Sequence, residues 1–217
     1  MQANEYTELR SFIGSTSVNA GCNLFLPAFS GPVSLSQPAL QYPGGIFSER
    51  DAKSALYVSS LLGQVFEYDQ VQVEEAKNNP LPIGTSFLFG SRSNQITQWV
   101  LQNQVGSKLF NFNYGADWQI VGKDGRVFSL TDPSTLSRAA YEQKTDYGVV
   151  SRVSTFEGQC FVIAGLGGRA TEGCGYYFAR NWKSLFQKYG QQDFAVILEF
   201  SPPLDPKKSK VVAEYKA

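Results

Sequence analysis

Short apolar runs and amphipathic stretches take turns along this chain. Thr85 to Gly90 is apolar, short and bounded by turn residues, the pattern of a parallel strand buried on both faces. Tyr147 to Val153, Cys160 to Ala164 and Phe194 to Phe200 read as further strands, the first two joined through Glu157 and Gly158 as an antiparallel pair. Three helical patterns lie between these runs. Ser48 stands at an N-cap position with Asp51 three residues on, and Ala52, Ala55, Leu56, Val58 and Leu62 mark an apolar face that ends at Gly63. Ile96, Trp99 and Val100 carry a second helix to about Gln104, while Cys174, Phe178, Trp182, Leu185 and Tyr189 share one face of a third, which begins near Thr171 and stops at Gly190.

A period of two governs the middle of the chain. Leu109 to Tyr114 alternates, and Trp118 to Val121 with Arg126 to Leu130 flank a Gly122-Gly125 turn, which predicts a β-hairpin insertion. Residues 131 to 145 are polar and predict a surface loop with a short helix around Leu136 to Tyr141. Ala39 to Tyr42 reads as a first core strand broken by Pro43, Gly44 and Gly45. Val65 to Tyr68 and Val71 to Val73 are further strand material, Lys77 to Pro82 is a turn, and Val211 to Tyr215 is an edge strand. Residues 1 to 32 mix polar residues with Gly and Pro, so an N-terminal arm or linker with one short strand at Cys22 to Leu26 is expected ahead of a domain spanning residues 33 to 217. The class is α/β, with a largely parallel central sheet, an antiparallel hairpin insertion and edge strands.

Two strand-loop-helix units resemble each other in plan, and their loops carry the chemistry. The first loop is Ser91, Arg92, Ser93 and Asn94; the second runs through Gly165, Gly167, Gly168, Arg169 and Thr171. At the carboxyl ends of two parallel strands both loops reach the edge where open α/β sheets bind ligands. Free backbone N–H groups at a helix start, with two arginines, suit a phosphate or carboxylate. The glycine spacing matches a dinucleotide fingerprint only in part, with Ala170 at the third position, and no acid stands about twenty residues on, so no cofactor is expected. Tight turns and helix packing account for the same glycines equally well. Glu172 is the one carboxylate placed for acid/base work, against the commoner role of complementing a helix dipole.

Composition narrows the functions. Lysine plus arginine and aspartate plus glutamate number 19 each, which leaves no net field to draw nucleic acid or an anionic membrane. The 217 residues include no histidine, which removes Ser-His-Asp, Cys-His and HExxH chemistry, and no metal site is expected. Cys22, Cys160 and Cys174 have no metal or disulfide spacing, and neither a signal peptide nor a membrane span is visible, so the expected location is the cytoplasm.

Two segments together resemble a known pair of motifs. LFGSRSNQIT at residues 88–97 resembles an LGSPRSNPxT turn, and YGVVSRV at 147–153 with VIAGLGGRATEG at 162–173 resembles a YGVIxR...LIAGxxGxGTEAAG segment. Both patterns belong to a poorly characterised Rossmann-like bacterial domain, and archaeal S-layer proteins carry similar turns. Phe89 to Arg92 lacks the proline of the pattern, and Cys174 and Gly175 replace its alanines. Over residues 38 to 216 the resemblance implies a Rossmann-like three-layer sandwich and a sensing role, with no catalytic set. The leading expectation is a non-catalytic ligand-sensing or interaction domain of a larger bacterial system, binding a small anionic ligand, nucleotides included, at the carboxyl edge of the sheet. A nucleotide or glycoside hydrolase or transferase using Glu172 is the alternative, and a structural assembly module a third. A fused or adjacent domain at the N-terminus and homo-oligomerisation stay open.

Overall fold

The computed structural model describes residues 3–14, 21–29, 46–76 and 84–217. In chain order the elements are α1 (Ala3–Ile13), β1 (Cys22–Leu26), β2 (Ala28–Phe29), β3 (Ile46–Phe47), α2 (Glu49–Leu62), β4 (Val71–Glu75), β5 (Gly84–Phe89), α3 (Gln95–Asn103), β6 (Phe110–Tyr114), β7 (Asp117–Gly122), β8 (Val127–Thr131), α4 (Arg138–Glu142), β9 (Asp146–Ser154), β10 (Gly158–Gly165), α5 (Gly168–Tyr189), β11 (Phe194–Phe200) and β12 (Lys210–Lys216). The strand expected at residues 39 to 42 and the turn at 77 to 82 lie outside the described residues.

A seven-stranded sheet in the order β12-β11-β9-β10-β5-β1-β4 organises the domain. Its pairings are mixed rather than largely parallel. Parallel contacts join β4 to β1, β1 to β5 and β5 to β10, while β10–β9, β9–β11 and β11–β12 run antiparallel. The reversal at β9 follows from the tight Glu157-Gly158 turn, which leaves no room for a crossover helix between β9 and β10.

The apolar runs are strands buried on both faces. Leu24, Phe87, Phe161 and Val196 point into one core, whereas Phe25, Leu88, Val162 and Ile197 point into the other. Side chains of α1, α2 and α5 close the first core. On the opposite face α3 and the antiparallel sheet β6-β7-β8 close the second. That small sheet is fastened to β12: Tyr215 donates from its hydroxyl to Asp124 at 2.7 Å, and Arg126 donates to the Val212 carbonyl at 3.1 Å.

Helix α2 approaches α5 closely. A Cβ on Gly175 would lie 2.7 Å from Ser54 Cα, so only glycine fits at that crossing. Ser54 Oγ donates to the Thr171 carbonyl at 2.8 Å beside it. The apolar face of α2 is rotated from the expected one: Leu56 is 66% exposed, and Asp51, Ser54 and Leu61 are buried with Ala55, Val58 and Leu62. Residues Val65 to Tyr68 form a turn into a short 3₁₀ segment instead of a strand, with Val65 and Phe66 buried. Among the described residues no helix is long and apolar enough to cross a membrane.

The N-terminal stretch, expected as an arm or linker, supplies part of the core. Leu9, Phe12 and Ile13 in α1 are fully buried, and the Phe12 ring packs edge-on against Phe161 at 5.5 Å between centroids. Their i, i+3, i+4 spacing puts all three on one face. Arg10 ties the helix down by donating to the Val65 carbonyl at 2.8 Å. The expected strand at Cys22 to Leu26 is present and interior, paired on both sides. Phe12→Ala should therefore cost about 3–5 kcal/mol, the usual range for truncating a buried phenylalanine; urea denaturation checks this, since a loose arm would give no change.

Candidate functional site

The strands β1, β5 and β10 end side by side, and a small number of side chains knit their ends together. Gly90 leaves β5 with φ +82, a conformation that glycine adopts without strain. Asn94 then donates from Nδ2 to the carbonyls of Phe25 (3.2 Å) and Phe89 (2.8 Å), while its Oδ1 accepts the Thr97 amide at 3.0 Å as the N-cap of α3. Ser91 Oγ donates to the Gly165 carbonyl at 2.8 Å. On the other side Thr171 Oγ1 accepts the Gly165 amide at 2.9 Å. Ser91, Asn94 and Thr171 thus hold the loops in place, and all three are buried.

The start of α5 carries its own anion. Asp146, fully buried at the first position of β9, accepts the amides of Gly167 (3.0 Å), Ala170 (3.1 Å) and Tyr147 (2.8 Å) and the hydroxyl of Tyr141 (2.5 Å). Tyr141 in turn accepts the Arg169 amide at 3.1 Å. Burial pushes the Asp146 carboxyl up to about 6, opposed by the Tyr141 hydroxyl and the three amides. The N–H groups of Gly167, Arg169 and Ala170, expected free for a ligand, are used internally. A carboxylate at a helix N-terminus is stabilised by the dipole and by those donors together.

Between these loops and the start of α2 opens a cleft of about 420 Å³, lined by Ser48, Asp51, residues 90–93, Trp118, residues 165–168 and Thr171. Of the residues expected from sequence, Ser91, Arg92, Ser93, Gly165, Gly167, Gly168 and Thr171 come together here. Asn94 and Arg169 do not line it. Arg169 is ion-paired with Glu142 of α4 and so does not face Arg92 across the sheet edge. Arg92 is exposed and lies over the Trp118 indole, with 5.0 Å from guanidinium carbon to ring centroid.

Glu172 sits in the second turn of α5, because the helix begins at Gly168 rather than near Thr171. The residue is 6% exposed, its carboxylate is paired with Arg50 of α2, and it does not line the cleft. Cys174 is fully buried, and burial raises its thiol well above the ordinary range, so it is no nucleophile.

Two features of the cleft were not expected from sequence. Trp118 belongs to β7 in the hairpin insertion and joins the cleft only because that small sheet packs over the second core. Asp51 reads as a capping residue, yet it is 5% exposed at the inner wall. The signal was present: Asp51 falls on the stripe with Ala55 and Val58, where an acid is out of place. Ser48 Oγ accepts the amides of Arg50 (3.3 Å) and Asp51 (3.4 Å), so the cap is made without the Asp51 carboxyl. Burial lifts that carboxyl to about 6, with the Ser48 hydroxyl hydrogen bond pulling the other way.

A raised carboxyl binds its proton more tightly in the folded protein, so its contribution to stability is full below the unfolded value near 4 and is lost as pH rises through about 6. Asp51→Asn should consequently gain stability relative to the parent on going from pH 4 to pH 8, by about 1–3 kcal/mol; paired urea titrations at the two pH values measure this difference.

Comparison with protein-family models, with curated proteins and with solved structures finds no match for this chain.

Proposed function

We propose that the chain is a non-catalytic binding module that holds a small anionic molecule, nucleotides included, in the cleft at the carboxyl edge of β5 and β10. The observation that carries this reading is Arg92, exposed over Trp118 at the mouth of the cleft. A guanidinium stacked on an indole is held by its face, and its edge N–H donors stay directed outward for a bidentate phosphate or carboxylate. Ser93 beside it adds a hydroxyl, and Gly168 adds backbone to the lining. The positions agree with the rule that open α/β sheets bind ligands beyond the carboxyl ends of their strands, and on that ground we also propose a Rossmann-like relationship for the fold. The same reading makes the protein a cytoplasmic sensor in a larger bacterial system. Hydrolysis through Glu172 has less support, since its carboxylate is engaged by Arg50 away from the cleft.

A thermal-shift screen of nucleotides, sugar phosphates and small carboxylates tests this reading. A ligand that raises the melting temperature of the parent should bind Arg92→Ala about tenfold or more weakly, the loss expected for one charge-assisted contact. Arg169→Ala should keep parental affinity, because that side chain belongs to Glu142. A ligand indifferent to Arg92 would overturn the proposal.

A further inference from the structure

Side chains of opposite charge line the cleft. Arg92 stands at its mouth, and Asp51 lies on the inner wall, its Oδ1 3.6 Å from where a Cβ on Gly90 would be. The acid therefore sits directly behind the residue from which the Ser91-Arg92 loop departs.

Three acidic side chains on this side of the sheet are buried, and they are satisfied differently. Asp146 has three amides and a hydroxyl. Glu172 has the Arg50 guanidinium. Asp51 has the Ser48 hydroxyl, and no ion pair among the described residues includes it. It is also the one of the three that lines the cleft. A buried carboxylate without a cation carries a desolvation cost that a hydroxyl offsets only in part. Capping does not account for it, because Ser48 already takes the first amides of α2. An ammonium entering the cleft would supply both the opposite charge and up to three N–H donors.

We propose that the ligand of this cleft is a zwitterion, a small molecule whose anionic group meets Arg92 and whose ammonium meets Asp51, with free α-amino acids as the simplest class. This rests on the anion-binding reading above and narrows its ligand. The cleft, about 420 Å³, accommodates a molecule of that size. A plain anion would instead meet Asp51 as a like charge at neutral pH, so the acid discriminates against ligands that lack the ammonium. Two neighbouring charges have other partners: Arg50 is held by Glu172, and Asp132, whose carboxyl is lowered mainly by Ser134, feels Arg92 as a smaller influence.

Isothermal titration of the full chain at pH 7.5 with the twenty common amino acids tests this. For each amino acid that binds, the matching des-amino carboxylate and the decarboxylated amine are titrated beside it, and the nucleotides and sugar phosphates of the first screen are included. At least one amino acid should bind tenfold or more tightly than both of its truncated analogues. Asp51→Asn should weaken the amino acid by tenfold or more and leave the des-amino carboxylate unchanged or tighter; Arg92→Ala should weaken both. The analogue series on the parent protein gives the answer even where a variant folds poorly. Equal affinity for amino acid and des-amino carboxylate, or binding of a phosphate or hydroxylated anion with no amino acid bound, would overturn the zwitterion and leave the anion site standing. Failure of every anion and every amino acid to bind would remove both.

Discussion

A buried carboxylate at the first residue of a strand holds one edge of this structure together. Asp146 joins the start of β9 to the start of α5 through the amides of Gly167 and Ala170, and it reaches α4 through the Tyr141 hydroxyl. Neutral donors that replace lost hydration allow an anion to remain in such a place, and the helix dipole adds to them. Because Asp146 fixes the glycine loop against β9, it also fixes the wall of the cleft that the loop forms. Asn94 performs the matching task on the other loop, spanning the carbonyls that end β1 and β5.

This arrangement changes what a glycine-rich strand-to-helix loop means. Such a loop commonly offers its amides to a phosphate. Here the protein fills that position with its own side chain, and Arg169, the loop's cation, is bound by Glu142. In the site proposed above, recognition of a ligand charge falls to the neighbouring loop, where Arg92 lies over the indole of Trp118. The hairpin insertion thereby contributes a side chain to the cleft as well as covering one face of the sheet.

The buried acids show how one chemistry serves two purposes. Asp146 and Glu172 are buried with partners and stabilise the junctions between β9, α2 and α5. Asp51 is buried at the cleft with a hydroxyl alone, and its carboxyl is lifted to about 6. Strongly perturbed groups in clefts are where binding and catalysis concentrate, because folding alone would favour pairing or removing them.

Much of the fold was legible in the sequence, since apolar periodicity encodes the faces that strands and helices bury. Thr85 to Phe89, the β9–β10 pair, the hairpin sheet and β11 all appear where their patterns place them, α5 starts three residues earlier than its pattern indicates, and the two loops meet at one sheet edge. The N-terminal stretch, which its Gly and Pro content marks as an arm, becomes core because Phe12 of α1 packs against Phe161 and Phe178, residues far away in sequence. Partnership was not encoded locally. Whether Arg169 faces a ligand or Glu142, whether Glu172 is free or held by Arg50, and whether Asp51 caps a helix or lines a cleft depend on residues distant in sequence. Local spacing determines which side of an element is apolar; only packing decides which charge each polar side chain meets, because Coulomb and hydrogen-bond partners are selected by distance in space.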